Sequence, residues 1–415
     1  RVDAAGEQSR LAKLLEQVET SVRRRAPVVQ LANRLAGWFV AVVLVVAAAT
    51  VLFWYPRNPT AAVDNAIALL VVTCPCALAL ATPLAVTIAI GHAAKNGILI
   101  KGGDAIERLA APRTLLLDKT GTITESRVAL AAWDGPDWVK PLVLALEQES
   151  SHPIAAGFRR AFDGADVFDV TLATHVVGGG IDGMVDGWHV VVGSPAFVEA
   201  RASSRNRLGI PPAHLTPVLV AVDDVIVASA GFGDPVRADA RTSIDALRER
   251  GWRVGILSGD ASAVVAAVGH SLGLPSAACI GDAVPEEKLR VVEQARKRGT
   301  VVMVGDGVND AAAIAAATVG IGVHGGAEAC LTTADVYLAR PGLAPLVMLT
   351  DGAARTIGVI KRNIAFSIGY NIIGATLAVT GVITPLIAAV LMPASSLTVV
   401  LASWLSTTFP KERAS

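Results

Sequence analysis

The chain has 415 residues, of which 53% are hydrophobic and only 17% charged, and 36 Lys and Arg balance 36 Asp and Glu. Soluble domains carry about 25% charged residues, so this composition excludes disorder and argues against an all-soluble protein. A net charge of zero argues against a nucleic-acid binder, and 4 cysteines, two of them in one tight pair, exclude a disulfide scaffold. The chain starts at Arg1, without Met or a signal-peptide layout, which reads as a fragment or processed piece.

From the N-terminus, Leu11, Leu14, Leu15, Val18 and Val22 recur at helical spacing and predict a cytoplasmic lead-in helix within residues 1–35. Residues 37–55 carry no charge and are long enough to cross a bilayer as a helix. Arg57-Asn58-Pro59 turns the chain, and residues 66–90 form a second charge-free run. Soluble character then lasts until residue 364, after which no charge occurs up to Pro410; Thr384-Pro385 divides that stretch in two. One such run could be a buried core helix, whereas four in two pairs predict four transmembrane helices. Basic residues flank them on one side: Arg23, Arg24, Arg25 and Arg34, then Lys95, Lys101 and Arg108, then Lys361 and Arg362, then Lys411 and Arg413. The positive-inside bias therefore predicts a multi-pass protein with both termini and the large middle region in the cytoplasm.

Cys74-Pro75-Cys76 lies inside the second run. Proline there removes a backbone hydrogen bond and clashes with the carbonyl of Val71. Two thiols on an unwound turn can hold one soft ion, such as Cu(I) or Zn; the plainer alternative is two buried cysteines beside a kink. Tyr370 and Asn371, then Met392, Ser395 and Ser396, add polar and thioether groups in the last two runs, as helix glue or as a transport path. Residues 364–409 contain no Asp, Glu, Lys or Arg. A divalent ion is expected to draw a carboxylate, so this tilts the reading toward a monovalent ion. Asp64, near the outer end of its run, is the nearest intramembrane carboxylate.

In the middle region, residues 114–117 are a short apolar run that delivers Asp118-Lys119-Thr120-Gly121-Thr122 at a strand's carboxyl end, where open α/β sheets place ligands. An Asp there can attack phosphorus and form an aspartyl phosphate. The glycine allows close backbone approach, the two Thr can donate hydrogen bonds, and a metal must screen the like charges. Further supports follow apolar strands: Ser258-Gly259-Asp260 after residues 254–257, and Gly305-Asp306-Gly307-Val308-Asn309-Asp310 after residues 301–304. Asp306 and Asp310 stand one helical turn apart, which predicts that both face one Mg²⁺. Lys288, between these motifs, can hold a transferring phosphoryl oxygen.

Residues 126–229 interrupt this pattern and read as an inserted domain. Glu147, His152-Pro153 and the glycines Gly178 to Gly180 suggest a grip on adenine or ribose, although a glycine run alone is more often a turn. His175, His189 and His214 read as structural or exposed and receive no role.

Taken together, the motifs resemble the heavy-metal subclass of P-type ATPases over essentially the whole chain. They are CPC at Cys74–Cys76, DKTGT at Asp118–Thr122, HP at His152-Pro153, GxG at Gly178 and Gly180, SGD at Ser258–Asp260 and GDGxND at Gly305–Asp310. The resemblance implies a haloacid-dehalogenase-like α/β phosphorylation domain (92–125 and 230–362) with an inserted α+β nucleotide-binding domain (126–229). Around them it implies a lead-in after an actuator domain (1–35), transmembrane helices 1 and 2 with CPC (36–91) and transmembrane helices 3 and 4 (363–410). By matching positions, Asp118, Lys119, Thr120, Ser258, Gly259, Asp260 and Lys288 would do the phosphoryl chemistry. Mg²⁺ would be bound at Asp118, Thr120, Asp306 and Asp310, and ATP at Glu147, His152, Gly178 and Gly180. Cys74, Cys76, Tyr370, Asn371, Met392 and Ser395 would carry the ion.

The last two runs match the copper(I) branch and lack the charged Lys and Asp of the zinc/cadmium/lead branch. The expected function is ATP-driven export of Cu⁺ across a bacterial inner or plasma membrane, with Zn²⁺, Cd²⁺ or Pb²⁺ export as the alternative. The expected partners are the metal ion, ATP and the lipid bilayer, with a cytosolic metal chaperone left open. The sequence departs from the family pattern in having no TGE loop, Ser126 for Gly, Ser194 for Asn, Ala402 for Asn, and an unusual His324-Gly325-Gly326. Without the TGE loop the chain resembles only the part of a pump C-terminal to the actuator, and a membrane-anchored phosphatase or regulatory subunit without transport stays as a second alternative.

Overall fold

The structure is a computed structural model that describes residues 27–410 apart from 75, 149, 163–167, 177, 210, 213–214, 308 and 327. For residues 27–36, 76–81 and 328–329 it describes the backbone alone. Most of the lead-in helix expected over 1–35, together with Lys411 and Arg413, thus lies outside the described residues.

Helix α1 is Pro27–Trp54. Helix α2, Pro59–Val72, begins as its sequence dictates: Pro59 sits in the first turn and Asn58 caps it, its side chain accepting from the Ala61 N–H at 3.1 Å. Near its end the Thr73 hydroxyl donates to the Leu69 carbonyl at 2.6 Å. Pro75 has no N–H to continue the ladder, and a new helix, α3, starts at Cys76 and runs to Lys95. The second apolar run is therefore two helices that meet at the cysteines, rather than one kinked span over 66–90.

Next come β1 (Ile98–Ile100), α4 (Gly103–Leu109) and β2 (Thr114–Leu117), then a small domain. Its elements are β3 (Ala129–Asp134), α5 (Val139–Leu146), α6 (Pro153–Ala161), β4 (Val170–Val176), β5 (Gly180–Val185), β6 (Trp188–Gly193), α7 (Pro195–Glu199), β7 (Ser204–Arg205), β8 (Thr216–Val222) and β9 (Val225–Gly233). The chain then returns through α8 (Ala240–Glu249), β10 (Arg253–Leu257), α9 (Ser262–Ser271), β11 (Cys279–Ile280), α10 (Pro285–Arg298), β12 (Val301–Gly305), α11 (Ala311–Ala316), β13 (Val319–Gly322), α12 (Glu328–Thr333) and β14 (Val336–Leu338). Two long helices close it: α13 (Ala344–Val379) and α14 (Pro385–Trp404). Helix α13 runs unbroken across residues 362/363, because nothing between Arg355 and Asn363 breaks a helix.

Contacts divide the chain into two units: one takes residues up to 116, 242–254 and from 285 onward, the other 117–241 and 255–284. The division passes through β2 and β10. In the first unit the strand order is β1-β14-β13-β12-β2, with β12, β13 and β14 parallel and β1 antiparallel to β14. Continuous apolar runs such as Val301–Val304, all fully buried, suit a sheet covered on both faces. In the second unit, an antiparallel sheet of order β3-β9-β8-β6-β5-β4 packs α5 and α6 around Phe158 and Phe232, whose rings meet edge to face at 4.7 Å.

The helices of the first unit pack through small and polar residues. Ile360, Asn363, Ser367, Asn371, Gly374 and Ala378 form one buried stripe on α13, and Asn363 donates to the Ser403 hydroxyl of α14 at 2.8 Å. A side chain on Gly374 would stand 2.8 Å from Val72 on α2, so glycine there sets how closely the two helices approach. The Trp54 indole N–H donates to the Val379 carbonyl at 2.9 Å, tying α1 to the end of α13. Among the described residues two helical stretches, Gly37–Trp54 and Pro385–Trp404, are long and apolar enough to cross a membrane. The other two expected spans differ: one is divided at the cysteines, and the other is the second half of a helix whose first half carries Asp351, Arg355, Lys361 and Arg362.

Candidate functional site

In the second unit, β2 ends by releasing Asp118, 4% exposed, into a tight loop. Gly121, at φ 73°, takes a left-handed conformation that a side chain would strain. The Thr124 hydroxyl accepts from the Gly121 N–H at 3.3 Å and reaches Asp234 at 2.5 Å. Arg237 donates to the carbonyls of Thr122, at 2.9 Å, and Gly121, at 3.0 Å. Thr124, Asp234 and Arg237 were missed in the sequence: Thr124 stands just past the Asp118–Thr122 motif, and Asp234 and Arg237 lie far along the chain from it, in no motif.

Asp260 organises the rest. Its carboxylate receives the Lys119 ammonium at 2.8 Å, the Ser258 hydroxyl at 3.0 Å and the Thr120 hydroxyl at 3.3 Å. Burial opposes ionisation of Asp260, but the hydrogen bond and charge of Lys119, with Ser258 and Thr120, outweigh it and hold the carboxyl below the usual range. Gly259 is exposed at the tip of this turn. The Thr122 hydroxyl is buried with no hydrogen-bond partner among the described residues. Buried hydroxyls rarely stay unpaired, so an oxyanion fits it well.

In the first unit, Lys288 and Asp310 are both buried, with Nζ and Oδ1 2.5 Å apart. Burial, reinforced by the negative charge of Asp306, keeps the Asp310 carboxyl above the ordinary range although Lys288 pulls it down. Asp306 and Asp310 are not a helical turn apart: Gly307 has φ 79°, and α11 begins only at Ala311. The loop presses on Cys330, whose thiol is pushed up to about 12 by burial and by Asp306 and Asp310. That group stays a neutral thiol and leaves the loop with oxygen donors. Carboxylate oxygens suit a hard cation such as Mg²⁺. A Cβ at position 305 would lie 2.7 Å from the second oxygen of Asp310, so glycine makes room for that oxygen.

The small domain contains a cavity of about 700 Å³. Glu147, His152, Gly178 and Gly180 all line it, as do His175, Ser194 and Thr216. His175 had been given no role, since a lone histidine in a strand carries no signal. His189 instead lies 2.8 Å from Asp182, and His214 is outside the described residues. Burial pushes the Glu147 carboxyl above its usual range, against the opposing hydrogen bond from Ser150 and the positive fields of His152, His175 and Arg159. The glycines work differently from the sequence expectation. A side chain on Gly180 would meet the Val192 carbonyl at 2.1 Å, so glycine is needed there for strand packing. Gly178 has open space around it but needs its φ of 74°.

Of the ion-path residues, Cys74 is half-buried and held in a disulfide. The Cys76 side chain is outside the description. Tyr370 packs in a cluster with Leu69, Val71 and Val72 at the end of α2, and its hydroxyl is buried with no hydrogen-bond partner among the described residues. Asn371 and Ser395 are buried and Met392 half-buried. The hydroxyls of Ser395 and Ser396 donate to the Met392 carbonyl at 2.8 and 3.4 Å, which leaves their oxygen lone pairs as acceptors. Helices α13 and α14 both pack on α2 and α3.

Residues 112–318 match the haloacid dehalogenase-like hydrolase family. The chain is 34% identical to a probable copper-importing P-type ATPase A of Enterococcus hirae, over 97% of this chain and 57% of that protein. It is 36% identical to a copper-exporting P-type ATPase of Mycobacterium leprae, over 96% of this chain and 52% of that protein. Over nearly its whole length the chain is similar in sequence to metal-transporting P-type ATPases. A crystal structure of a zinc-transporting PIB-type ATPase, in its E2.Pi state, superposes with a TM-score of 0.76 at 28% identity, covering 97% of this chain and 68% of that one. The chain thus spans little more than half the length of these two sequence relatives. Family members of this kind use ATP and Mg²⁺.

Proposed function

We propose that the chain is the phosphorylated and ion-conducting part of an ATP-driven pump that exports Cu(I) across a membrane. The observation that carries this reading is the convergence of Lys119, Thr120 and Ser258 on Asp260, in the loop that Asp118 opens. One carboxylate oxygen of Asp118 attacks the γ-phosphorus of ATP, the bond to the β–γ bridging oxygen breaks, and ADP leaves. Lys119 and the hydroxyls of Thr120 and Thr122 stabilise charge on the phosphoryl oxygens. The carboxylates of Asp306 and Asp310 would hold Mg²⁺, which supplies the charge screening that carboxylate attack on ATP requires. Lys288 keeps Asp310 in place. The cavity beside Glu147, His152 and His175 takes the adenosine.

Four membrane crossings complete the reading: α1, the α2–α3 pair, the second half of α13, and α14. Cys74 and Cys76 bind the ion as thiolates, with Tyr370, Asn371, Met392 and Ser395 as further ligands on its path. Thiolate and thioether donors in spans without charge suit Cu⁺. Export follows the name of the Mycobacterium leprae relative, while the Enterococcus hirae relative is named an importer, so direction is tested separately. Zn(II) is the second reading, favoured by likeness to the zinc-transporting structure and opposed by the absence of Asp, Glu, Lys and Arg from residues 364–409.

The test is phosphoenzyme formation from γ-labelled ATP with Mg²⁺ under reducing conditions, with Cu(I) or Zn(II), in wild type and in Cys74→Ser/Cys76→Ser. Label that depends on Cu(I) and is lost in the double variant supports the proposal. Dependence on Zn(II) moves the chain to the second reading, and label indifferent to metal and to both cysteines refutes the thiol site. ATP-dependent uptake of copper into inverted vesicles supports export; its absence, with uptake into right-side-out vesicles, overturns the direction.

A further inference from the structure

At the end of α14 the first unit contains a second cavity, about 570 Å³, that the proposed transport cycle does not use. Its walls are α13, the last turn of α14 at Ala402, and the residues that follow α14. Arg355 and Arg362 lie two turns apart on one face of α13, and Gly358 between them has no atom within 4 Å of where a side chain would begin. Among the described residues neither guanidinium has an ion pair. Asp351, one turn before Arg355, is already held by Arg250, which donates to it at 2.9 Å. Opposite the arginines stands Thr408, 1% exposed, whose hydroxyl is buried without a hydrogen-bond partner among the described residues. Two forked cations and an orphaned donor on one cavity suit a phosphate group.

The rim indicates which phosphate. Leu405, which lines the cavity, is 70% exposed, and Trp404 and Leu401 beside it are exposed as well. An apolar rim ending in Trp beside paired arginines is what the junction of hydrocarbon and headgroups favours. We propose that this cavity binds the headgroup phosphate of an anionic glycerophospholipid, with Arg355, Arg362 and Thr408 on the phosphate and an acyl chain along Leu405 and Leu401. The site rests on the reading that α13 and α14 cross a membrane, with these ends on its cytoplasmic side.

Native mass spectrometry of the full chain in detergent, with phosphatidylglycerol or phosphatidylcholine added, tests it. Wild type should retain one phosphatidylglycerol in preference to phosphatidylcholine. The double variant Arg355→Gln/Arg362→Gln should lose that preference by about thirtyfold, from two basic contacts at a membrane surface. Thr408→Val keeps both charges and should weaken retention of phosphatidylglycerol itself by about fivefold, one hydrogen bond's worth. An unchanged thermal midpoint in both variants confirms that they fold. Equal retention in wild type and the folded double variant overturns the site, and so does displacement of the lipid by inorganic phosphate at equal concentration, which would make it a free-anion pocket. A chain that stays monodisperse without detergent and binds neither lipid overturns the membrane reading itself, a result distinct from lipid binding without preference.

Discussion

Two lysine–aspartate pairs of similar length stand in opposite surroundings. Lys119 and Asp260 are 2.8 Å apart, with the aspartate side chain 39% exposed and shared with two hydroxyls. Lys288 and Asp310 are 2.5 Å apart, with the aspartate side chain 1% exposed. Lys119 is buried, but Asp260 keeps contact with water that weakens the pair, so its worth lies in geometry: it aims Lys119 and Thr120 beside Asp118. The second pair has left water at a large desolvation cost, and removing either partner strands a buried charge. One interaction type is thus used once for positioning and once to keep an acid loop intact, and the opposite displacements of the two carboxyls from their ordinary range reflect this.

The strongest test is to remove the group that both pairs are proposed to serve. Asp118→Asn should abolish the acid-stable phosphoenzyme while ATP still binds, read by gel autoradiography and by nucleotide titration. Persisting label would place the nucleophile elsewhere. The comparison itself breaks or holds on the lysines. Lys288→Met should cost roughly 3–5 kcal/mol, seen as a large fall in thermal midpoint, because Asp310 is left uncompensated. Lys119→Ala leaves the partly exposed Asp260 to water, so it should cost less, about 1 kcal/mol, and still eliminate phosphorylation. If the two variants lose stability equally, burial does not separate the pairs.

The glycines of the cavity give a similar contrast. Gly180→Ala forces a methyl into the Val192 carbonyl and should destroy nucleotide binding, measured by calorimetry. Gly178→Ala meets no atom and should cost only about 1 kcal/mol, through its left-handed backbone.

The smallest effect is expected at Glu147. Its folded carboxyl sits above the ordinary range, mainly through burial, so between the unfolded and folded values the folded chain holds a proton that the unfolded chain has released. Lowering pH through that window should therefore stabilise wild type relative to Glu147→Gln, and raising it should reverse the order. Differential scanning of both proteins across mildly acidic pH checks the sign; parallel curves would mean that Glu147 is not displaced.

Much of the candidate site was legible in the sequence. Asp118, Ser258, Asp260 and Lys288 were found because phosphoryl chemistry requires particular residue types within fixed short spacings at strand ends. The spacing of Asp306 and Asp310 suggested a helical turn, and a left-handed glycine between them made it a loop instead. His175, Arg237, Asp234 and Thr408 carry no local signal; only the folded chain brings them to a loop or a cavity. The glycines at 178 and 180 were recognised as important, but whether each serves conformation or packing depends on what lies next to it.

The sequence by itself pointed to a likeness with metal-transporting P-type ATPases, to a candidate nucleophile and to the order of its candidate supports, because these depend on covalent order and on residue chemistry. It also determined that apolar runs flank a soluble region, since hydropathy is additive along the chain. Only the tertiary structure decided that the second run divides at Cys74, that α13 continues across residue 363, which of the two aspartates is buried, and that Arg355, Arg362 and Thr408 line one cavity. Burial and pairing depend on neighbours distant in the chain, and no local pattern encodes them.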